Sequence, residues 1–418
     1  MNNQNNSEVI EHVFRHEYGK IIAVLVHKFG PSNIEKIEDV VQDALLKAMQ
    51  VWGFKEIPKN PTAWLLRVAS NNLIDVLRRD KKQILQENTN SEFDKMSVKQ
   101  NNLLLNNSIH DSQLKMIFAC CNPSLSNEYQ IILSLKLIGG FSNKEISKAL
   151  LKKEGTVAKS FTRAKQQLKK HVKTLEIPIE MGLASRIEIV LKVIYLLFSE
   201  GYKASSGEDI IKKDICFEAI RLALLLLENK STQISKVHAL IALMCFHASR
   251  FEARIDDNNA LIDLEHQDRA KYDNELIAFG VQHFKQATDE NNTLSSYYLQ
   301  AAVSYYHCAA TTFNDTDWAG ILNLYNQQLK FQYSPIVALN RIVPYYKFHG
   351  AKKGMSEIEQ YSKNPNAIIN ALYYSIKAEL YKELNDRENS EIALREAINL
   401  TDNEIQKKHL NKKLESIS

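Results

Sequence analysis

A chain of 418 residues is long enough for about two or three domains with separate cores. Its 44% hydrophobic and 24% charged residues, with a net charge of only +4, are those of a folded globular protein, not of a disordered polyelectrolyte. Thirteen Gly and eight Pro are few for this length and argue against a turn-rich β fold, so the expectation is an all-α protein. Five cysteines, an odd number at positions 120, 121, 216, 245 and 308, form no CxxC pair and have no zinc-like His spacing. They read as small core residues of a reduced compartment, with no metal or cofactor implied. The N-terminus has no basic start followed by an apolar run, and the run LALLLL at 222–227 is too short to span a bilayer, so a cytoplasmic place and no membrane partner are expected.

The first predicted helix covers 8–30 and ends at Gly30-Pro31. The second opens with acids at Glu38 and Asp39, and its apolar residues Val40, Val41, Ala44, Leu45, Ala48 and Met49 recur at helical spacing. The loop GFKEIPKN follows. Its Phe54, Lys55 and Lys59 suit contact with unstacked single-stranded bases, although each alone is as readily a plain connector residue. Asn60 as N-cap and Pro61 at the first position start a third helix. Trp64, Leu65, Val68, Ala69 and Leu77 make its buried stripe, while Arg67, Asn71, Asp75, Arg78 and Lys82 fall largely opposite. On pattern alone, this is as well an ordinary amphipathic pair with a basic end.

Residues 83–108, rich in Asn, Gln and Ser, read as a linker. From His110 the chain is helical again; Ser126 caps a helix that Gly139-Gly140 stops. Ser142 with Glu145 forms a capping box, and a second helix is predicted from about Glu154 to Lys170 with Val157, Phe161, Ala164 and Leu168 inward. From Lys136 to Lys173, bases greatly outnumber acids, the footprint of a phosphate-facing surface. This is a helix-turn-helix whose second helix would enter the major groove. Thr156, Lys159, Ser160, Thr162, Arg163 and Lys165 remain for the groove side; Arg163 can fork onto a guanine, and the lysines suit phosphates.

The strings Glu38-Asp39-Val40-Val41-Gln42-Asp43-Ala44, Trp64-Leu65, Val68-Ala69, Asn71-Asn72 and Ile74-Asp75-Val76-Leu77-Arg78-Arg79 resemble region 2 of the sigma-70 family, in its extracytoplasmic-function branch. EIxxxLxxxxGTV (145–157) and RAKxxL (163–168) resemble region 4, with Lys159 where the family's recognition helix has Arg. The resemblance implies region 2 over 1–82, a linker over 83–108 and region 4 over 109–177. It implies that Asp39, Gln42, Asp43 and Lys47 meet the clamp helices of RNA polymerase core. The loop 53–60 with Arg67, Asn71, Arg78 and Arg79 would open the upstream promoter element, and Thr156, Lys159, Ser160, Arg163 and Lys165 would read the more distant one.

Ile177-Pro178 marks a boundary, and the rest, 178–418, reads as helix after helix. Ala371, Tyr374, Ala378, Tyr381 and Leu384, then Ala393, Ala397 and Leu400, suggest a tetratricopeptide-like hairpin at the end. YLLFSEGYKASSG (195–207), LEHQDRAKYD (264–273) and NDTDW (314–318) resemble the long C-terminal extension of one subgroup of these sigma factors. The cluster Glu265, His266, Gln267, Asp268 and Arg269 reads more readily as interdomain salt bridges than as a catalytic site; a metal is conceivable with Asp256, Asp257 and Asp263 nearby, but no calcium-loop glycine is present. Asp315-Thr316-Asp317-Trp318 reads as a capped helix start with a buried Trp, and His238, His247 and His307 as satisfied core or interface residues. No nucleophile elbow, phosphate loop or zinc motif occurs, so no enzyme is expected. The fused half leaves room for a protein or small-molecule regulator. Two other readings stay open: a one-component helix-turn-helix regulator with a helical sensing domain, and a repeat scaffold on RNA or membrane.

Overall fold

The computed structural model describes all residues except 1–16, 53–56, 83–101, 151, 178–179, 203–210, 257–259, 289–294, 402–403 and 418. Regular structure among the described residues is helical, beside one isolated bridge between Ile255 and Leu261, so the fold is all-α. After α1 (17–29), Gly30 takes φ 85° and a 3-10 turn over Pro31–Asn33 leads into α2, Ile34–Trp52. Ile34, Ile37, Val40, Val41, Ala44, Leu45 and Ala48 bury one stripe of α2. The helix thus starts before Glu38: Glu35 occupies its first turn, and Glu38 is buried. Asn60 caps α3 (Pro61–Lys82), its Oδ1 accepting from Ala63 N at 2.9 Å. Leu73 is fully buried in α3 beside Leu65 and Ala69, whereas Trp64 is half-buried, 5.4 Å from the Trp52 ring.

Helix α4 spans Asn102–Cys120 and so reaches into the stretch read as linker, of which 83–101 lies outside the described residues. Helices α5 (Asn127–Leu137), α6 (Asn143–Ala149) and α7 (Glu154–His171) follow. Next come α8 (Glu180–Tyr202) and α9 (Lys213–Leu226). The chain divides into two compact units, residues 1–200 with 217–232, and 201–216 with 233–418. The unit boundary therefore differs from the sequence boundary at 178, and packing explains why. Val193, Ile194, Leu197 and Leu222 line one small cleft together with Ile117, Leu135 and Ile138. Arg186 Nη1 donates to Phe118 O at 3.4 Å, and Arg221 Nη2 to Gln113 Oε1 at 3.1 Å. Fully burying such Leu and Ile side chains stabilises by roughly 1.5–3 kcal/mol each, so these helices belong to the first core.

In the second unit, α10 (Ser235–Ala248) packs on α11 (Asn274–Lys285) and α12 (Ser296–Ala309). Beyond them α13 (Trp318–Phe331), α14 (Pro335–His349), α15 (Ala351–Ser362), α16 (Ala371–Glu383), α17 (Arg387–Asn399) and α18 (Glu404–Ile417) each pack on the next. Asn385, at φ 60°, makes the turn between α16 and α17. Ala371, Ala378, Ala393 and Ala397 are buried as expected, but Leu400 is exposed, and Tyr373 is the more buried of the tyrosine pair, with Ile376 and Leu380. A Cβ on Gly354 would meet Tyr346 Cβ at 2.4 Å, so α14 and α15 need glycine there to approach this closely. The last helix returns to an earlier segment: His409 Nε2 lies 2.9 Å from Asp263 Oδ1, and Lys413 Nζ 2.9 Å from Asp263 Oδ2. None of the five cysteines is in a disulfide; burial pushes the Cys121 and Cys245 thiols up to about 12.

Candidate nucleic-acid interface

The solvent face of α2 carries Asp39, Gln42, Asp43 and Lys47, all exposed. Leu46 and Met49 lie on the same helix at 54% and 43% exposure. Met49 was expected in the buried stripe. It lies one position, about 100° of helix rotation, past Ala48, and Trp52 continues the stripe instead. An exposed Leu and Met beside polar residues form a surface that sequence reasoning missed, although Leu46 breaks the 3–4 spacing and could have signalled it. On α3, Arg67, Asn71, Arg78 and Arg79 are exposed, with Asp75 in the same stripe. Lys59 is exposed at the end of the loop; Phe54 and Lys55 lie outside the described residues.

The helix-turn-helix starts at the reciprocal cap: Ser142 N donates to Glu145 Oε2 at 2.9 Å, and Glu145 N to Ser142 Oγ at 3.2 Å. Val157, Phe161, Ala164 and Leu168 bury the inner stripe of α7. Thr156, Lys159 and Arg163 are exposed in register, at i, i+3 and i+7. Ser160 and Lys165 are half-buried and turned to partners within the first unit. Ser160 Oγ donates to Glu128 Oε1 at 3.1 Å, and Lys152 Nζ sits 2.8 Å from Glu128 Oε2. Lys165 Nζ donates to Glu38 Oε2 and lies 4.6 Å from the Phe161 ring centre. One turn on, Lys169 Nζ donates to both oxygens of Glu35, at 2.8 and 2.7 Å. Two lysines four apart on α7 thus meet two glutamates three apart on α2, a match of helix faces that neither local sequence announces.

The electrostatics of the two pairs differ. Burial raises the Glu38 carboxyl, and Lys165, Lys136 and the Tyr18 hydroxyl oppose it without overcoming it. Burial also works to raise Glu35, but Lys169 wins there and the carboxyl is held below its usual range. Lys136 is lowered, first by burial.

In the second unit the polar cluster forms caps and hydrogen bonds. Gln267 Nε2 donates to Ile262 O at 3.1 Å, Tyr272 Oη to Gln267 Oε1 at 3.0 Å, and Asp268 Oδ1 accepts from Ala270 N at 2.9 Å. Arg269 Nη1 donates to His307 O at 2.9 Å. The expected interdomain ion pairs do not occur at these five residues among the described contacts; the ion-paired acids nearby are Asp256, with Lys412, and Asp263. Asp317 Oδ1 accepts from Gly320 N at 2.8 Å, capping α13, while Trp318 is half-buried against Phe313 and His307. His238 Nδ1 meets His283 Nδ1 at 2.8 Å, but His307 Nδ1 is buried with no hydrogen-bond partner, contrary to the expectation of a satisfied core residue. No group of three or more His, Cys, Asp or Glu is placed to hold a metal among the described residues, and no described helix is long and apolar enough to cross a membrane.

Comparison with known families finds sigma-70 region 2 over residues 13–83 and sigma-70 region 4 over 115–168. A family of unknown function (DUF6596) matches residues 186–288, a span that includes parts of both units. An uncharacterized protein of Rhizobium meliloti (strain 1021) is 30% identical over 388 residues, 92% of this chain and 91% of that one. No solved structure matches. The region 2 match covers α2 and α3, and the region 4 match runs from α4 into α7, so the helices described above are those of transcription-initiation domains that bind DNA. The chain belongs to the family of the Rhizobium protein, and it is a sigma-factor-like protein built of sigma-70 regions 2 and 4 followed by DUF6596.

Proposed function

We propose that this protein is an extracytoplasmic-function-type sigma factor that brings bacterial RNA polymerase core to a dedicated promoter class, with a regulatory helical half fused behind region 4. The observation that carries the reading is the order of the two sigma regions along one chain, each with an exposed polar stripe on its central helix. Asp39, Gln42, Asp43 and Lys47, together with Leu46 and Met49, meet the clamp helices of the polymerase. Arg67, Asn71, Arg78 and Arg79 hold the upstream melted strand. Thr156, Lys159 and Arg163 enter the major groove of the more distant element, where a forked Arg contact to guanine discriminates by about 1–3 kcal/mol. Lys165 reaches a phosphate only after leaving Glu38, so engaging the promoter costs the contacts that dock α7 on α2. Its place of work is the cytoplasm, with polymerase and DNA.

The test is run-off transcription by sigma-free core polymerase with the full chain, on templates that include the DNA upstream of its own reading frame, beside core binding measured by gel filtration. Core binding with a discrete transcript supports the reading. Tight duplex binding with no affinity for core would replace it by a one-component regulator.

A further inference from the structure

The second unit encloses a cavity of about 720 Å³, within the range of small-molecule sites. Helices α10, α12, α13, α14 and α18 and the segment around 261–267 line it. Two guanidinium groups stand on its wall. Arg250 is 9% exposed; its Nη2 donates to Tyr202 Oη at 3.0 Å and lies 3.2 Å from His247 Nδ1, and neither partner is a carboxylate. Its Nε is buried and has no hydrogen-bond partner. Arg254 stacks on the Tyr202 ring, Cζ to centroid 3.8 Å, and its Nη1 donates to Tyr202 O at 3.1 Å. Neither arginine joins an ion pair among the described residues.

The carboxylate on the cavity wall, Asp263, does not neutralise them. It is already held by His409 and Lys413, at 2.9 Å each, and although burial alone would raise it, these two partners keep it well below the usual carboxylate range. His307, also on the wall, is pushed down to about 3 by burial and by Arg250 and Arg269, so it is neutral, with a buried free Nδ1. Among the described residues these two guanidinium groups on the cavity wall therefore have no carboxylate partner. A buried charge without a counter-ion is costly, and an incoming anion would offset that cost. A guanidinium offers the planar fork that carboxylate and phosphate oxygens accept. Elsewhere the wall carries the uncharged hydrogen-bonding side chains Gln300, Gln328 and Asn340 among apolar Leu243, Val303 and Ile405. Pro344 has no N–H to close the helical bond to the Asn340 carbonyl, so a further acceptor lies in this part of α14.

We propose that this cavity binds a small polar organic anion, its carboxylate or phosphate group forked by Arg250 and Arg254 and its uncharged polar body against Gln300, Gln328 and Asn340. The proposal gives the regulatory half suggested above its ligand class. Its test involves no polymerase, so it can fail while the sigma reading stands, and the reverse.

The experiment is isothermal titration of the full chain with citrate, glucose 6-phosphate and inorganic phosphate, with glucose as the uncharged probe, at constant ionic strength. The expected result is saturable 1:1 binding of a carboxylate or a phosphate probe, with the stronger of the two identifying the head group, and none of glucose. Arg254→Gln raises Kd at least tenfold, Arg254→Lys raises it less, and Arg395→Gln on the exposed surface leaves it unchanged. If Arg254→Gln loses its helical circular dichroism, Arg254→Lys alone decides, by a Kd at least threefold above wild type. Absence of saturable binding by every anionic probe, or equal binding in the Arg254 variant, overturns the proposal.

Discussion

Replacing Glu38 by glutamine measures how firmly α7 is docked on α2. The Lys165 and Glu38 side chains are 14% and 7% exposed, so water screens their attraction little. Removing one partner of a buried pair typically costs about 3–5 kcal/mol. Two features reduce this here: the substitution relieves the desolvation that raises Glu38, and Lys165 keeps its contact with the Phe161 ring. A loss of about 1–2 kcal/mol is expected, with a coupling of similar size in a double-mutant cycle with Lys165→Met. The Glu35–Lys169 pair, at 44% and 31% exposure, is the comparison, and exposed pairs yield about 0–1 kcal/mol. Urea unfolding in a Trp318→Phe background reports on the first unit alone, because Trp52 and Trp64 then remain of the three tryptophans. Glu38→Gln also frees Lys165 for a phosphate, which steepens the dependence of log K for promoter DNA on log salt by about 0.9. A Glu38–Lys165 coupling below about 0.5 kcal/mol, or no larger than that of the exposed pair, refutes the argument that burial makes this contact the stronger.

Acid should loosen the second unit in a defined window. Burial lowers His307 to about 3 and His283 to about 4, and lowers His238, so the unfolded chain binds more protons below about pH 6.5; stability is full above that pH and falls as pH drops toward the folded values. His307 alone would account for about 2 kcal/mol at pH 5, read as a fall in the melting temperature from pH 7 that His307→Gln reduces; a melting temperature flat to pH 5 contradicts it. Ser142→Ala removes one side of the reciprocal cap and should cost about 1 kcal/mol, with amide exchange rising in the first turn of α6. Gly354→Ala forces a Cβ toward Tyr346 and should destabilise the second unit by about 1–3 kcal/mol; an unchanged melting temperature would show that α14 and α15 can separate freely. Leu46→Asp, at an exposed position, should leave the melting temperature within a degree or two and abolish core polymerase binding; retained binding would move the docking face elsewhere.

Local sequence was enough wherever a single helix decides its own fate. The Asn60 and Ser126 caps, the Ser142–Glu145 box, and the α7 stripe of Val157, Phe161, Ala164 and Leu168 all follow from period and capping chemistry within a few residues. The sigma regions were legible for the same reason: their strings lie within short stretches of adjacent helices. Tertiary structure decided what depends on residues far apart. It placed Met49 and Leu46 outside, since an apolar residue is core only if another helix covers it. It turned Lys165 from a groove-facing base into the partner of Glu38, because the two are 127 positions apart and meet only through packing. It assigned α8 and part of α9 to the first core, past the Pro178 boundary, because their apolar faces find cover on helices of region 4. And it set Arg250 and Arg254 on the wall of a cavity with no carboxylate partner among the described residues, a condition no string can show, since side chains from separate segments make it.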